Sequence, residues 1–242
     1  MIELRDVSKR LGARQILSGM TLRVQKGMNF VLMGPSGSGK SVTLKHVIGI
    51  LKPDSGSVQV DGQEVPAMDR SQLMALRKRM GYLFQNGALI NWLTVFQNVA
   101  LPLEEHARLP QGELADRVHQ VLRLVGLDHA AAQYPPSISG GMKLRAGLAR
   151  ALVTNPEYVL YDEPNAGLDP IISRQIHELI ARVRDELNVT GLIVTHSKAC
   201  ATECGDRIGI LENGKLGLEG TVAEMLASTH PLARAFLGGG AD

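Results

Sequence analysis

Between residues 28 and 50 the chain runs from Met28-Asn-Phe-Val-Leu-Met33 through Gly34-Pro35-Ser36-Gly37-Ser38-Gly39-Lys40-Ser41 into a stretch compatible with a helix up to Ile50. The apolar run suits a strand buried on both faces. The segment from Gly34 to Ser41 fits the pattern G-x-x-x-x-G-K-[ST], which functions only where a glycine-rich turn leads from a strand end into a helix start. The glycines let backbone N–H groups turn inward, and the helix presents its positive end to an anion. Lys40 is then placed to bridge β- and γ-phosphates, Ser41 to offer a hydroxyl to a divalent cation, and Val42 to follow them in the first turn. The segment reads as a site for a nucleoside triphosphate with Mg²⁺.

The rest of the chain supports an α/β architecture. Tyr158 to Tyr161 and Gly191 to Thr195 are further buried-strand candidates. They are separated by Ser173 to Leu187, whose Ile176, Leu179, Ile180, Val183 and Leu187 recur at helical spacing. Strands alternating with helices imply a largely parallel sheet. Met1 to Val7 and Gln15 to Val24 alternate around glycine and polar breaks, as an antiparallel β edge would. Between Asn86 and Leu152 the pattern turns helical, notably over Gly112 to Val125 and Gly140 to Leu152. The expected organisation is one domain over 1–242: an α/β core from 1–85 and 153–225, a helical subdomain inserted at 86–152, and a C-terminal tail at 226–242; from Thr221 onward the chain carries two short helical patterns and ends in a frayed Gly238-Gly-Gly240.

Composition excludes several classes. At 242 residues, 44% hydrophobic and 21% charged, the chain matches soluble globular proteins. A formal net charge of +2 gives little reason to expect nucleic acid as a partner. The densest basic run, Arg77-Lys78-Arg79, reads as a solvated helix face. No stretch approaches the roughly 20 apolar residues that span a bilayer, and the N-terminus lacks the apolar core of a secretion signal, so a cytosolic location is expected. The cysteines, Cys200 and Cys204, read as small buried thiols. With His196 they would form a metal-like stripe on one continuous helix, but His196 has a better role at a strand end.

Asp162-Glu163-Pro164 ends a hydrophobic strand, placing two carboxylates at the carboxyl edge where ligands of open α/β folds sit. Asp162 is positioned to hold Mg²⁺ and Glu163 to polarise an attacking water. Ser139-Gly140-Gly141 opens a helix: Ser139 is an N-cap candidate, and the glycines leave N–H donors for a second anion. This segment, Ser137-Ile-Ser-Gly-Gly-Met142 and onward, closely resembles the signature motif of ATP-binding-cassette (ABC) ATPases. Gln85 resembles that family's Q-loop glutamine, Ala166-Gly-Leu-Asp169 its D-loop and His196 its switch histidine, all in the family's order. The resemblance covers nearly the whole chain. It implies ATP hydrolysis, with Gln85 touching Mg²⁺ and the attacking water and His196 the γ-phosphate. It also implies a head-to-tail dimer in which Ser139 and Gly141 close on the nucleotide held by a second copy.

Val65-Pro-Ala-Met68 with Leu76-Arg-Lys-Arg-Met80, Leu83-Phe-Gln-Asn-Gly-Ala-Leu89 and Pro231-Leu-Ala-Arg-Ala-Phe236 look like the ATPase subunits of lipid transporters that work with MCE proteins. That resemblance implies phospholipid traffic between bacterial membranes, from the cytoplasmic face of the inner membrane as a peripheral subunit. The implied partners are an integral permease docking near Gln85 to Ile90, an MCE substrate-binding protein and a small regulatory subunit. Gly87 to Ile90 also reads as a loop tucked into the core, and both readings can hold. The alternatives are another ABC transporter, an ABC ATPase acting on nucleic acid or ribosomes, and a regulatory module that does not hydrolyse; Glu163 with His196 argues against the last. Two departures from the family pattern stand out. Leu11 occupies the place of the usual aromatic that stacks on adenine, and Val42 replaces a frequent Thr, removing a hydrogen bond worth roughly 0.5–1.5 kcal/mol.

Overall fold

The computed structural model describes residues 1–106 and 109–238. Strands β1 (Ile2–Leu11), β2 (Arg14–Val24), β4 (Ser55–Val60) and β5 (Gln63–Glu64) form an antiparallel sheet in the order β2-β1-β4-β5. Strands β3 (Asn29–Met33), β6 (Met80–Leu83), β7 (Tyr158–Asp162), β8 (Thr190–Thr195), β9 (Arg207–Glu212) and β10 (Lys215–Thr221) form a second, in the order β10-β9-β3-β8-β7-β6. All neighbours in this second sheet are parallel except β10 with β9. The antiparallel character expected at an edge thus takes two forms: a separate sheet built from the first strands, and β10 closing the parallel one.

The helices are α1 (Lys40–Val47), α2 (Arg70–Lys78), α3 (Val95–His106), α4 (Gln111–Leu124), α5 (Gly140–Leu152), α6 (Pro170–Leu187), α7 (Lys198–Cys204), α8 (Val222–Ala227) and α9 (Pro231–Leu237). The described part of 86–152 contains α3, α4, α5 and short 3₁₀ turns, with no strand among the described residues. From Thr221 onward the chain forms α8 and α9, two short helices where two helical patterns are expected, and residues 239–242 of the expected frayed end lie outside the described residues. No helix among the described residues is long and apolar enough to cross a membrane.

Alternation along the parallel strands separates two apolar cores, because successive side chains in a strand point to opposite faces. Val31, Met33, Val159, Tyr161 and Ile193 face one core, shared with α3 to α7. Phe30, Leu32, Tyr158, Leu160, Leu192 and Val194 face the other, shared with α1 and the antiparallel sheet. Buried on both sides, the sheet fixes the height at which every strand ends.

The basic run at 77–79 is more than a solvated face. Arg77 Nε donates to the Ile48 carbonyl at 2.9 Å, closing the end of α1. Arg79 pairs with Glu157 at 2.6 Å and with Asp61, whose carboxyl its partners hold well below the usual range despite burial. Arg77 and Lys78 stay exposed as a solvated face would, but Arg77 also closes the end of α1 and Arg79 is drawn to carboxylates at neighbouring strand ends.

A tight approach joins the loop after β6 to α5. A Cβ on Gly147 would lie 2.7 Å from Gly87 Cα, and one on Gly87 would lie 2.4 Å from the Lys143 carbonyl oxygen. Gly87 also has φ of 76°, which glycine alone adopts without strain. Gly147→Ala should therefore cost about 1–3 kcal/mol through overpacking against backbone that has no rotamer to yield. At about 2–4 °C per kcal/mol for a domain of this size, a thermal melt should fall by roughly 2–12 °C. An unchanged melting temperature would show that loop and helix separate freely.

Candidate functional site

The carboxyl ends of β3, β7 and β8 lie side by side in register, Met33 opposite Thr195 and Asp162 opposite Val194. The Gly34 turn, Asp162-Glu163 and His196 therefore emerge at one edge. Gly34, Gly37 and Gly39 all take positive φ, of 155°, 76° and 110°. A Cβ on Gly34 would lie 2.5 Å from the Leu211 carbonyl oxygen, so the turn is packed onto β9 as well as bent.

Lys40, at the start of α1, is 7% exposed and donates to the carbonyls of Gly34 at 2.8 Å and Pro35 at 3.1 Å. Its Nζ is also 3.7 Å from Glu163 Oε1. Ser41 Oγ donates to Asp162 Oδ1 at 2.8 Å, and Tyr82 OH donates to Asp162 Oδ2 at 3.1 Å. Burial, with the Asp162 charge beside it, pushes the Tyr82 phenol well above its ordinary range, so it stays a donor. Ser38 Oγ is buried without a partner within the protein.

Glu163 stands at φ of 49°, a left-handed conformation uncommon for a side-chain-bearing residue. Its N–H donates to the Val194 carbonyl at 2.9 Å, and its carboxylate receives the His196 backbone N–H at 3.3 Å and lies 3.0 Å from His196 Nδ1. His196 therefore faces Glu163 and belongs to no stripe with Cys200 and Cys204. The thiols' histidine neighbour is His177, on α6.

Ser36, Gly37, Gly39, Lys40, Ser41, Val42, Gln85, Glu163 and His196 line one open cleft of about 400 Å³, together with Arg14 and Ile16. Sequence reasoning missed Arg14, which no motif marks: its guanidinium donates to the Gly37 carbonyl at 3.3 Å. It missed Tyr82 too, whose one signal was a polar-tipped aromatic in an apolar strand. Leu11 ends β1 at 42% exposure and does not line this cleft. Larger clefts on the helical part, such as that between Leu103 and Asn155, gather none of the groups expected to act on phosphate.

Gln85 opens the 3₁₀ turn after β6, and Asn86 and Ala88 in that turn also take positive φ. Arg150 of α5 clamps it, donating to the carbonyls of Gly87 at 2.8 Å and Ala88 at 2.9 Å. Buried Asn98, which no sequence motif marks, accepts from Ile90 N at 2.7 Å and donates to the carbonyls of Ile90, Leu93 and Thr94. The loop is tucked in at Gly87 and exposed at Gln85, Asn86 and Ala88, so it is at once core-packed and open to a partner.

Ser139 caps α5, its hydroxyl accepting from Met142 N at 3.3 Å. Gly140 is exposed; Gly141 is buried, where a Cβ would meet Ile172 Cγ2 at 2.5 Å. Ser139, Gly140 and Gly141 do not line the cleft around Lys40. Asp169 caps α6 with two backbone bonds of 3.0 Å, setting the end of the Ala166 to Asp169 loop.

The donor set at the cleft, a serine hydroxyl 2.8 Å from a carboxylate with a glutamine amide on the same wall, is all hard oxygen and suits Mg²⁺. The arrangement can cradle a phosphate chain, hold a cation at one end of it, and present a carboxylate beside that cation.

A family model described as ABC transporter matches residues 17–166. The intermembrane phospholipid transport system ATP-binding protein MlaF of Escherichia coli K12 is 40% identical over 242 residues, covering 100% of this chain and 90% of that protein. The probable ribonucleotide transport ATP-binding protein mkl of Mycobacterium leprae is also 40% identical, over 98% of this chain and 69% of that protein. Among solved structures, the dimeric post-hydrolysis state of the ATP-binding cassette MJ0796 bound to ADP and Pi superposes with a TM-score of 0.83. It is 32% identical and covers 92% of this chain and 99% of its own.

Two measurements probe the cleft. Lys40→Ala removes the buried cation facing the phosphates, and calorimetric titration should show ATP affinity reduced at least about tenfold; unchanged affinity would contradict the placement. Leu11 lies at the exposed end of β1 outside this cleft, so Leu11→Tyr tests whether the base reaches that strand end: if it does, ATP should bind about tenfold tighter and GTP to a similar extent, because base–aromatic stacking contributes roughly 1–3 kcal/mol and accepts any base. A strong native preference for ATP that Tyr does not improve would place adenine elsewhere, for instance on Arg14.

Proposed function

Because the chain belongs to the ABC transporter family and is an ATPase, we propose that it is the ATP-hydrolysing subunit of a bacterial transporter that moves phospholipid between membranes, driving a separate integral permease. The observation that carries the catalytic part is the meeting of Lys40, Ser41 with Asp162, Glu163 and His196 at one sheet edge. Of the cargoes that the relatives' names carry, phospholipid belongs to the one matched over 90% of its length and ribonucleotide to one matched over 69%. The fuller match favours lipid.

In this reading Lys40 and the backbone donors of residues 34–39 hold the β- and γ-phosphates. Ser41, Asp162 and Gln85 hold Mg²⁺, which when bound offsets charge on the phosphate oxygens. Glu163 takes the proton of the attacking water, held in place by its backbone bond to β8 and by His196. His196, 60% exposed, keeps one face free for the γ-phosphate. Ser139, Gly140 and Gly141, at the positive end of α5, complete the site on a second copy, which accounts for their absence from the cleft of their own chain. The helical segment 86–152 acts as a subdomain carrying that contact. The permease docks on the loop from Gln85 to Ile90, where Phe84 is 44% and Trp92 79% exposed beside backbone fixed by Asn98 and Arg150. An MCE protein and a small regulatory subunit complete the complex, which places this chain peripherally at the cytoplasmic face.

Glu163→Gln should preserve ATP binding while cutting turnover by about 10² or more, as loss of a general base does, and ATP should trap a dimer visible by size-exclusion chromatography. Near-normal hydrolysis would remove Glu163 from the mechanism. The tagged chain should also copurify a multispan membrane protein whose reconstituted complex moves labelled phospholipid between vesicles when ATP is added. Copurification of ribosomes or nucleic acid in its place would overturn the transport assignment.

A further inference from the structure

On the face of the parallel sheet covered by α6 and α7 sits a cluster that hydrolysis does not use. A ring nitrogen of His177 and the Sγ atoms of Cys200 and Cys204 all lie within 4.8 Å of one another, and all three residues are buried. His177, 1% exposed, has its Nδ1 taken by Glu203 Oε2 at 2.8 Å. Its Nε2 is buried with no hydrogen-bond partner. In the same apolar core Tyr161 OH is also buried and unpartnered. Buried polar atoms are almost always satisfied, so an orphaned imidazole nitrogen on a residue clustered with two thiols calls for a missing partner.

The chemistry of that partner is set by the donors. Two sulfurs and an imidazole nitrogen are soft and borderline ligands, unlike the hard oxygens of the nucleotide cleft, and they select Zn²⁺ over Mg²⁺. A carboxylate on the far ring nitrogen is the usual outer support of a zinc-bound histidine: it fixes ring and tautomer so that the other nitrogen carries its lone pair to the metal. Tetrahedral Zn²⁺ needs ligand atoms about 3.5–3.8 Å apart, given bonds of about 2.3 Å to sulfur and 2.0–2.1 Å to nitrogen. From within 4.8 Å that is a small contraction.

We propose that His177, Cys200 and Cys204 form a site for one thiophilic divalent cation, Zn²⁺ by preference, that clamps α6 to α7. Binding deprotonates both thiols and releases their protons. Cys204 then gives up its donation to the His177 carbonyl, a weak bond of 3.7 Å. The fourth position is left to an exogenous ligand such as water. The clamp ties together the helix capped by Asp169 and the one capped by Ser197, the residue after His196, so it fixes two of the helices that leave the sheet edge where the cleft lies.

The test is to strip the reduced full-length chain of metal and titrate it with Co²⁺, then Zn²⁺. Since the chain has 2 cysteines, Cys200 and Cys204, any thiolate-to-cobalt charge-transfer absorption reports on this cluster alone. We expect one equivalent to bind with that absorption and tetrahedral ligand-field bands, Zn²⁺ to displace it, excess Mg²⁺ to leave it, and Zn²⁺ to raise the melting temperature. Cys200→Ser should abolish the charge-transfer band. Glu203→Gln, at a half-exposed side chain that keeps a hydrogen-bonding oxygen, should weaken binding about 10- to 100-fold. No charge-transfer band in the wild type, or Co²⁺ affinity unchanged in Glu203→Gln, overturns the site.

Discussion

Parallel pairing in fixed register is the constraint on which the rest of this molecule depends. β3, β8 and β7 are buried on both faces, so none can slip by a residue without turning an apolar side chain into the wrong core. That locks the end of β3 beside the ends of its neighbours, and with it the distance between Lys40, Asp162, Glu163 and His196. Chemistry assembled from segments more than a hundred residues apart is positioned by apolar packing that none of those groups takes part in. The close polar contacts at the edge, such as Ser41 with Asp162, are a consequence of that packing.

The same edge is tied to the helical region through backbone. Arg150 donates to the two carbonyls at Gly87 and Ala88, and burial lowers its pKa without discharging so strong a base. Gly87 and Gly147 let loop and helix touch without side chains between them. Because α5 starts at Ser139, a displacement of the exposed loop can be carried along one rigid helix to its N-terminus.

How much of this was legible in the sequence depended on the range of the interaction. Local patterns were readable: the glycine turn into α1, the buried runs of β3, β7 and β8, the cap at Ser139 and the spacing of α6. Contacts set by topology were not. Arg14 and Tyr82 carry no local pattern, and each gains meaning only from a neighbour brought in by the fold. Arg77 and Arg79 read as a solvated face because their acceptors, Ile48, Asp61 and Glu157, come from other elements. Likewise i, i+4 spacing joined His196 to the cysteines, whereas the chain turns between β8 and α7 and His177 arrives from a different helix. The first strands alternate as strands should, but alternation cannot say which sheet a strand joins.

The left-handed backbone at Glu163 carries one more consequence. A side-chain-bearing residue held at φ of 49° stores on the order of 1 kcal/mol or more that a glycine would not. The chain therefore keeps at this position a residue its own local fold disfavours. In the mechanism proposed above, variation that relaxes this turn by replacing Glu163 would make the protein sturdier and idle, so durability and turnover would pull in opposite directions at a single bond, and a screen for heat resistance alone would select against the working enzyme.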